Sequence, residues 1–103
     1  MNIQKMLKQA QQMQEKLAEA QAELADKTVE STVGGGKVTV VANGAGEVLS
    51  IKIDRAVVDP DDVEMLEDLV LAGVRQAIED AKQMAGDEMG KLTKGMNIPG
   101  LPF

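Results

Sequence analysis

The chain has 103 residues, 44% of them hydrophobic, and a formal net charge of −6, with no cysteine, histidine, tyrosine or tryptophan. That length fits one domain, 1–103, with no disulfide framework, no thiolate metal site and no imidazole to serve as a neutral-pH base or metal ligand. The only aromatic residue is Phe103, so Val, Leu, Ile, Met and Ala must build the core, and dimerisation is an expected way for so small a domain to bury more.

Residues 1–26 read as an N-terminal helix. Ile3, Ala10, Leu17 and Leu24 alternate with Met6, Met13 and Ala20 at the 3, 4 spacing of helices that pack along their length, and Leu7 widens the stripe. Gln4, Lys8, Gln11, Gln12, Glu15, Glu19 and Glu23 form the polar side. The expected neighbour of the stripe is the second helix or a partner subunit.

Residues 28–54 switch to period two and predict a three-stranded antiparallel meander. Gly34-Gly35-Gly36 is a turn, because glycine reaches backbone angles that other residues avoid. Val38, Val40 and Ala42 share one face of the second strand, and Asn43-Gly44 signals the next hairpin. Leu49, Ile51 and Ile53 are expected to point inward from the third strand.

The second helix is expected over 60–92. In the run Asp59-Pro60-Asp61-Asp62-Val63-Glu64-Met65-Leu66-Glu67-Asp68-Leu69, Asp59 suits a cap and Pro60 the first turn. The acids face the positive end of the helix dipole. Leu66, Val70, Val74, Ala77, Ala81 and Met84 keep the helix amphipathic, Gly73 suggests a close helix crossing, and Gly86 and Gly90 suggest fraying. Residues 95–103, rich in Gly and Pro, should be irregular.

Candidate chemistry is sparse. Gly34-Gly35-Gly36-Lys37 lacks the spacing and the following Ser or Thr of a phosphate loop. The acids at 59–64 lack the central Gly and distant Glu of a calcium loop. Ser50 and Lys52 share a strand face, but nothing suggests the desolvated pocket a nucleophile needs. No catalytic residue, cofactor site, metal site or small-molecule substrate is assigned. No apolar run approaches the roughly 20 residues of a membrane span, and the first turns lack a signal-peptide apolar region. A cytoplasmic protein is expected.

Charge is unevenly placed. Residues 1–14 hold Lys5 and Lys8 and no acid, residues 89–103 hold Lys91 and Lys94 and no acid, and the acidic excess lies between them. If the two ends converge, a positive patch can exist on an acidic protein. Lys5, Lys8, Lys91 and Lys94 are therefore the candidate phosphate contacts. No Arg precedes Arg55, so the bidentate reader of guanine is missing from the first helix, and no aromatic is placed for stacking. Any nucleic-acid binding should rest on phosphates, with weak sequence preference.

The acidic helix start, the N-terminal amphipathic helix and the segment Gly95-Met96-Asn97-Ile98-Pro99-Gly100-Leu101 together resemble the YbaB/EbfC family of bacterial nucleoid-associated proteins. The resemblance runs through nearly the whole chain in the same order. Arg75-Gln76 departs from the Asn-containing pattern of that family within Ala72 to Ala77. The resemblance implies an α+β homodimer of helix, three-stranded antiparallel β-meander and long helix, its helices projecting as arms. It also implies duplex-DNA binding with little sequence specificity at the basic helix ends, a nucleoid location, and effects on nucleoid organisation or gene expression. The other reading is a protein-interaction module near recombination or replication proteins, its Met-rich arms and tail serving as an adaptable surface without direct DNA contact.

Overall fold

The computed structural model of the chain describes residues 2–96, with side chains through Leu92. It contains α1 (Ile3–Asp26), β1 (Thr28–Val33), β2 (Val38–Asn43), β3 (Val48–Ile53) and α2 (Val63–Met96), with a 3-10 turn at Arg55–Val57. The α+β architecture expected from the sequence is the one observed.

α1 is made of Gln, Ala, Lys, Glu, Leu and Met, which lose little freedom in a helix. Asn2 caps it by accepting from the Lys5 amide at 3.3 Å. It stops at Lys27, whose extended backbone leads into the β-branched Thr28 and Val29.

The strands pair antiparallel in the order β1-β2-β3. Gly34, Gly35 and Gly36 all take positive φ in the first turn. Register aligns Ser31 with Val40 and Val33 with Val38, then Val40 with Ile51 and Val38 with Ile53. One sheet face therefore carries Val29, Ser31, Val33, Val38, Val40, Ala42, Ile51 and Ile53. A bulge between Val41 and Ala42 leaves Leu49 as the extra residue of β3.

α2 lies across this face on β1 and β2 and scarcely reaches β3. Val38, Val40, Ala42, Ala77 and Ala81 form the buried core, flanked by Val29, Val33, Leu69 and Val74. Gly73 marks a close approach to the sheet, not to another helix: a Cβ there would sit 2.9 Å from Val40 Cγ2. The partial cover also corrects the reading of β3. Its residues are exposed throughout, with Ile51 41% and Ile53 40% accessible although they face the same side as the core.

The start of α2 differs from expectation by three residues. The Asp59 carboxylate accepts from the Asp61 amide in a tight turn, and Asp62 accepts from the Met65 amide, so Asp62 is the cap and Pro60 lies outside the helix. The helix passes through Gly86 and Gly90 and ends at Met96, which takes residues 95 and 96 from the expected irregular segment. The rest of that segment, 97–103, lies outside the described residues.

Candidate nucleic-acid interface

α1 and α2 run antiparallel away from the sheet. Asp80 meets Ser31 at 2.6 Å and Glu88 meets Lys27 at 2.8 Å, so rising numbers in α2 match falling numbers toward α1. Farther out, Glu88, Lys91 and Leu92 share a cleft with Ala20, Glu23, Leu24 and Lys27. α2 ends one turn beyond Leu92, whereas α1 continues from Ala20 to Ile3. The outer part of α1 is thus an arm: residues 2–12 are exposed, Ile3 at 68%, and the described helical stripe has no covering element there. The molecule extends 72 Å along its long axis.

Lys5 and Lys8 are exposed on the outer turns of this arm. The 3, 4 spacing puts Lys5, Lys8, Gln12, Glu15, Glu19, Glu23 and Asp26 on one helix face. That face is positive at the tip and negative toward the sheet. Lys91 lies at the inner end, 77% exposed, with its ammonium 3.8 Å from Glu88. Lys94 is on the last turn of α2, and its side chain lies outside the described residues. Lys8 is twelve residues outward from Ala20, about 18 Å at the helical rise. Within one chain the two basic pairs are therefore spaced along the arm instead of merged into one patch.

The base of the arm is braced by polar contacts. The Lys27 ammonium, by hydrogen bond and charge, holds the Glu88 carboxyl below the usual carboxylate range, and Lys91 adds to this. Hydrogen bonds from Ser31 and then Gln76 lower Asp80 in the same way. These contacts tie α2 to β1 and to the end of α1. The departure at Arg75-Gln76 thus has a local role: Gln76 Nε2 donates to Asp80 at 2.9 Å.

Asn43 is the polar residue that sequence reasoning undervalued. The Asn-Gly pair predicted a tight hairpin, but it is Gly46, not Gly44, that takes positive φ. The Asn43 side chain instead organises a longer loop, accepting from the Ala45 and Glu47 amides at 3.1 and 3.0 Å.

A family model for the YbaB/EbfC DNA-binding family matches residues 1–96. The chain belongs to that family. It is 62% identical over 100 residues to a nucleoid-associated protein of a Thermoanaerobacter species, covering 97% of this chain and 90% of that protein. A nucleoid-associated protein of Caldanaerobacter subterraneus is 60% identical with the same coverage. The fold is also that of an uncharacterized Helicobacter pylori protein solved by crystallography, at TM-score 0.69 and 22% identity over 93% of this chain and 97% of that one. The matching family is described as DNA-binding, and these relatives are named nucleoid-associated proteins. Among the described residues, no helix is long and apolar enough to cross a membrane.

Proposed function

We propose that the protein binds duplex DNA as a homodimer, with little sequence specificity, through phosphate contacts from Lys5, Lys8, Lys91 and Lys94, and that it acts at the bacterial nucleoid. The observation that carries this reading is the change of sign along the exposed face of α1: Lys5 and Lys8 at the tip, Glu15, Glu19 and Glu23 behind them. A polyanion is attracted by the lysines at the tip of α1 and at the end of α2 and repelled by the acidic face of α1, which reconciles DNA binding with a net charge of −6. Lys8 lies about 18 Å or more along α1 from the cleft that Lys91 lines, a span within one turn of duplex. Both basic pairs can therefore meet phosphates along one face of the DNA. Among the described residues the surface offers lysine and glutamine but no aromatic platform, which favours backbone contact over base reading.

Dimerisation is supported by the half-covered sheet. Ile51 and Ile53 stand exposed beside α2. Asp80 and Leu69 mark the flank of α2 toward β1 and its turn, so Val70, Leu71 and Val74 lie on the β3 side. Exposed Leu71, Ile51 and Ile53, with half-buried Val70 and Val74, offer apolar surface of the kind that a partner subunit covers. The test is a mobility-shift titration on random duplex with wild type and a K5E/K8E/K91E/K94E variant. Wild type should shift the duplex at low salt, and the variant should not, while keeping its helical circular dichroism. Equal binding by a folded variant would move the site elsewhere. Failure of wild type to bind at low salt would leave the protein-interaction reading.

A further inference from the structure

We propose that Asn43 is the positioning residue of the arm: its side-chain amide fixes the angle at which α1 leaves the sheet. Asn43 is 3% exposed, and every hydrogen-bonding position of its side chain is used. The carbonyl oxygen accepts from Ala45 N–H and Glu47 N–H within the loop. The amide nitrogen donates to Glu47 Oε1 at 3.0 Å and to the Ala25 carbonyl at 3.2 Å. The last bond leaves the loop and grips a terminal carbonyl of α1, one of the groups a helix end leaves without a partner.

The adjoining backbone completes the socket. Gly44 N–H is shared between the carbonyls of Leu24 and Lys27 at 2.9 and 3.0 Å. A Cβ on Gly44 would lie 2.7 Å from the Leu24 carbonyl oxygen, so only glycine lets the loop press against the helix end. Leu24 is the one buried residue of α1, and Lys27 pairs with Glu88 beside it. Outward of this base Ala20, Leu17 and Met13 are half-buried, and residues 2–12 of the arm are exposed, with no further anchor among the described elements. A small rotation at Ala25 is multiplied along some 20 residues, roughly 30 Å at the helical rise. The angle at Asn43 therefore decides where Lys5 and Lys8 stand. Their role toward DNA rests on the proposed function; the angle does not.

The substitution Asn43→Asp tests this with nearly unchanged shape. The carboxylate keeps both loop acceptor bonds. It loses the donor to Ala25 and faces Glu47 as a like charge. Adding Glu47→Gln removes that repulsion and restores a donor within the loop, but it does not restore the bond to Ala25. Because the chain has no cysteine, labels at Q9C on the arm and K52C on the sheet are unique, and electron-spin distance measurements can be made after dilution with unlabelled protein. Wild type should give one narrow distance. N43D/E47Q should give a shifted or broadened one, and amides of Glu23 to Lys27 should exchange about fivefold faster, the factor one hydrogen bond of ordinary net worth supplies. Amides of Val38 to Val40 should keep their protection. A wild-type distance distribution in N43D/E47Q would overturn the proposal, as would equal loss of protection in β2 and α1, which would make Asn43 a general fold residue. DNA affinity in the same variant separates the two claims: a displaced arm with unchanged affinity refutes the arm-tip contact and leaves the positioning role standing.

Discussion

Replacing Gly73 by Ala should destabilise the protein, whereas the same change at Gly86, thirteen residues along the same helix, should stabilise it. Both substitutions gain helix propensity of about 1 kcal/mol. At Gly86 nothing lies within 4 Å of the new methyl group, so the gain stands. At Gly73 the methyl would meet Val40 Cγ2 at 2.9 Å, Val38 Cγ1 at 3.3 Å and Val33 Cγ2 at 3.4 Å. Val38 and Val40 are wholly buried and β-branched, so neither can swing aside, and α2 must lift from the sheet. Overpacking of this kind costs about 1–3 kcal/mol. G86A should then gain about 1 kcal/mol, and G73A should range from neutral to about 2 kcal/mol less stable. For a domain of this size each kcal/mol moves the melting temperature by about 4–8 °C. Thermal melts followed by far-ultraviolet circular dichroism at one fixed protein concentration measure both. A rise for G73A as large as that for G86A would refute the close packing of α2 on β2.

Sedimentation equilibrium at micromolar concentration should find twice the 11.0 kDa chain mass for wild type. I51K/I53K should sediment as a folded single chain, and an undisturbed dimer in that variant would move the seam away from β3. The ties at Asp80 predict a pH dependence. Its folded-state pKa is depressed, by Ser31 first and Gln76 second, so its stabilisation is present above the ordinary carboxylate range and lost as pH falls through the folded value. The melting temperature of D80N should therefore lie below wild type at pH 7, and the gap should begin to narrow near about pH 4 and close below the folded-state value. A gap that persists at lower pH would assign the loss to packing. Reversing Lys37 and Lys52 on the sheet should change DNA affinity far less than reversing the four candidate lysines; equal effects would make the sheet part of the interface.

Local chemistry made the element order legible. Period-two alternation after Thr28 and the Gly34-Gly35-Gly36 turn located the strands, and Ile3, Met6, Ala10, Met13 and Leu17 outlined α1. The cover of β3 was not legible, because Ile51 reads as a core residue whether or not a helix lies over it; only the placement of α2 on β1 and β2 leaves it open. The start of α2 was misplaced for a local reason: the Asp59 carboxylate accepts from the Asp61 amide in a turn, and Asp62 caps the helix in its stead. Of the candidate site, the basic character of both chain ends was readable. The distance between Lys8 and Lys91 was not, because it depends on how far α1 outruns α2. Asn43 carried a turn signal that concealed its bond to Ala25.

In the proposed function, phosphates met by a few lysines of the arms hold the DNA. Fluorescence anisotropy of a labelled random duplex, titrated at several salt concentrations, measures this directly. If roughly four phosphates are neutralised, log affinity should fall with log salt at a slope near −3.6. K5E/K8E/K91E/K94E should lose binding at every salt concentration, and a second unrelated duplex should give the same slope as the first. A slope near zero, or full affinity in the four-lysine variant, would contradict the account.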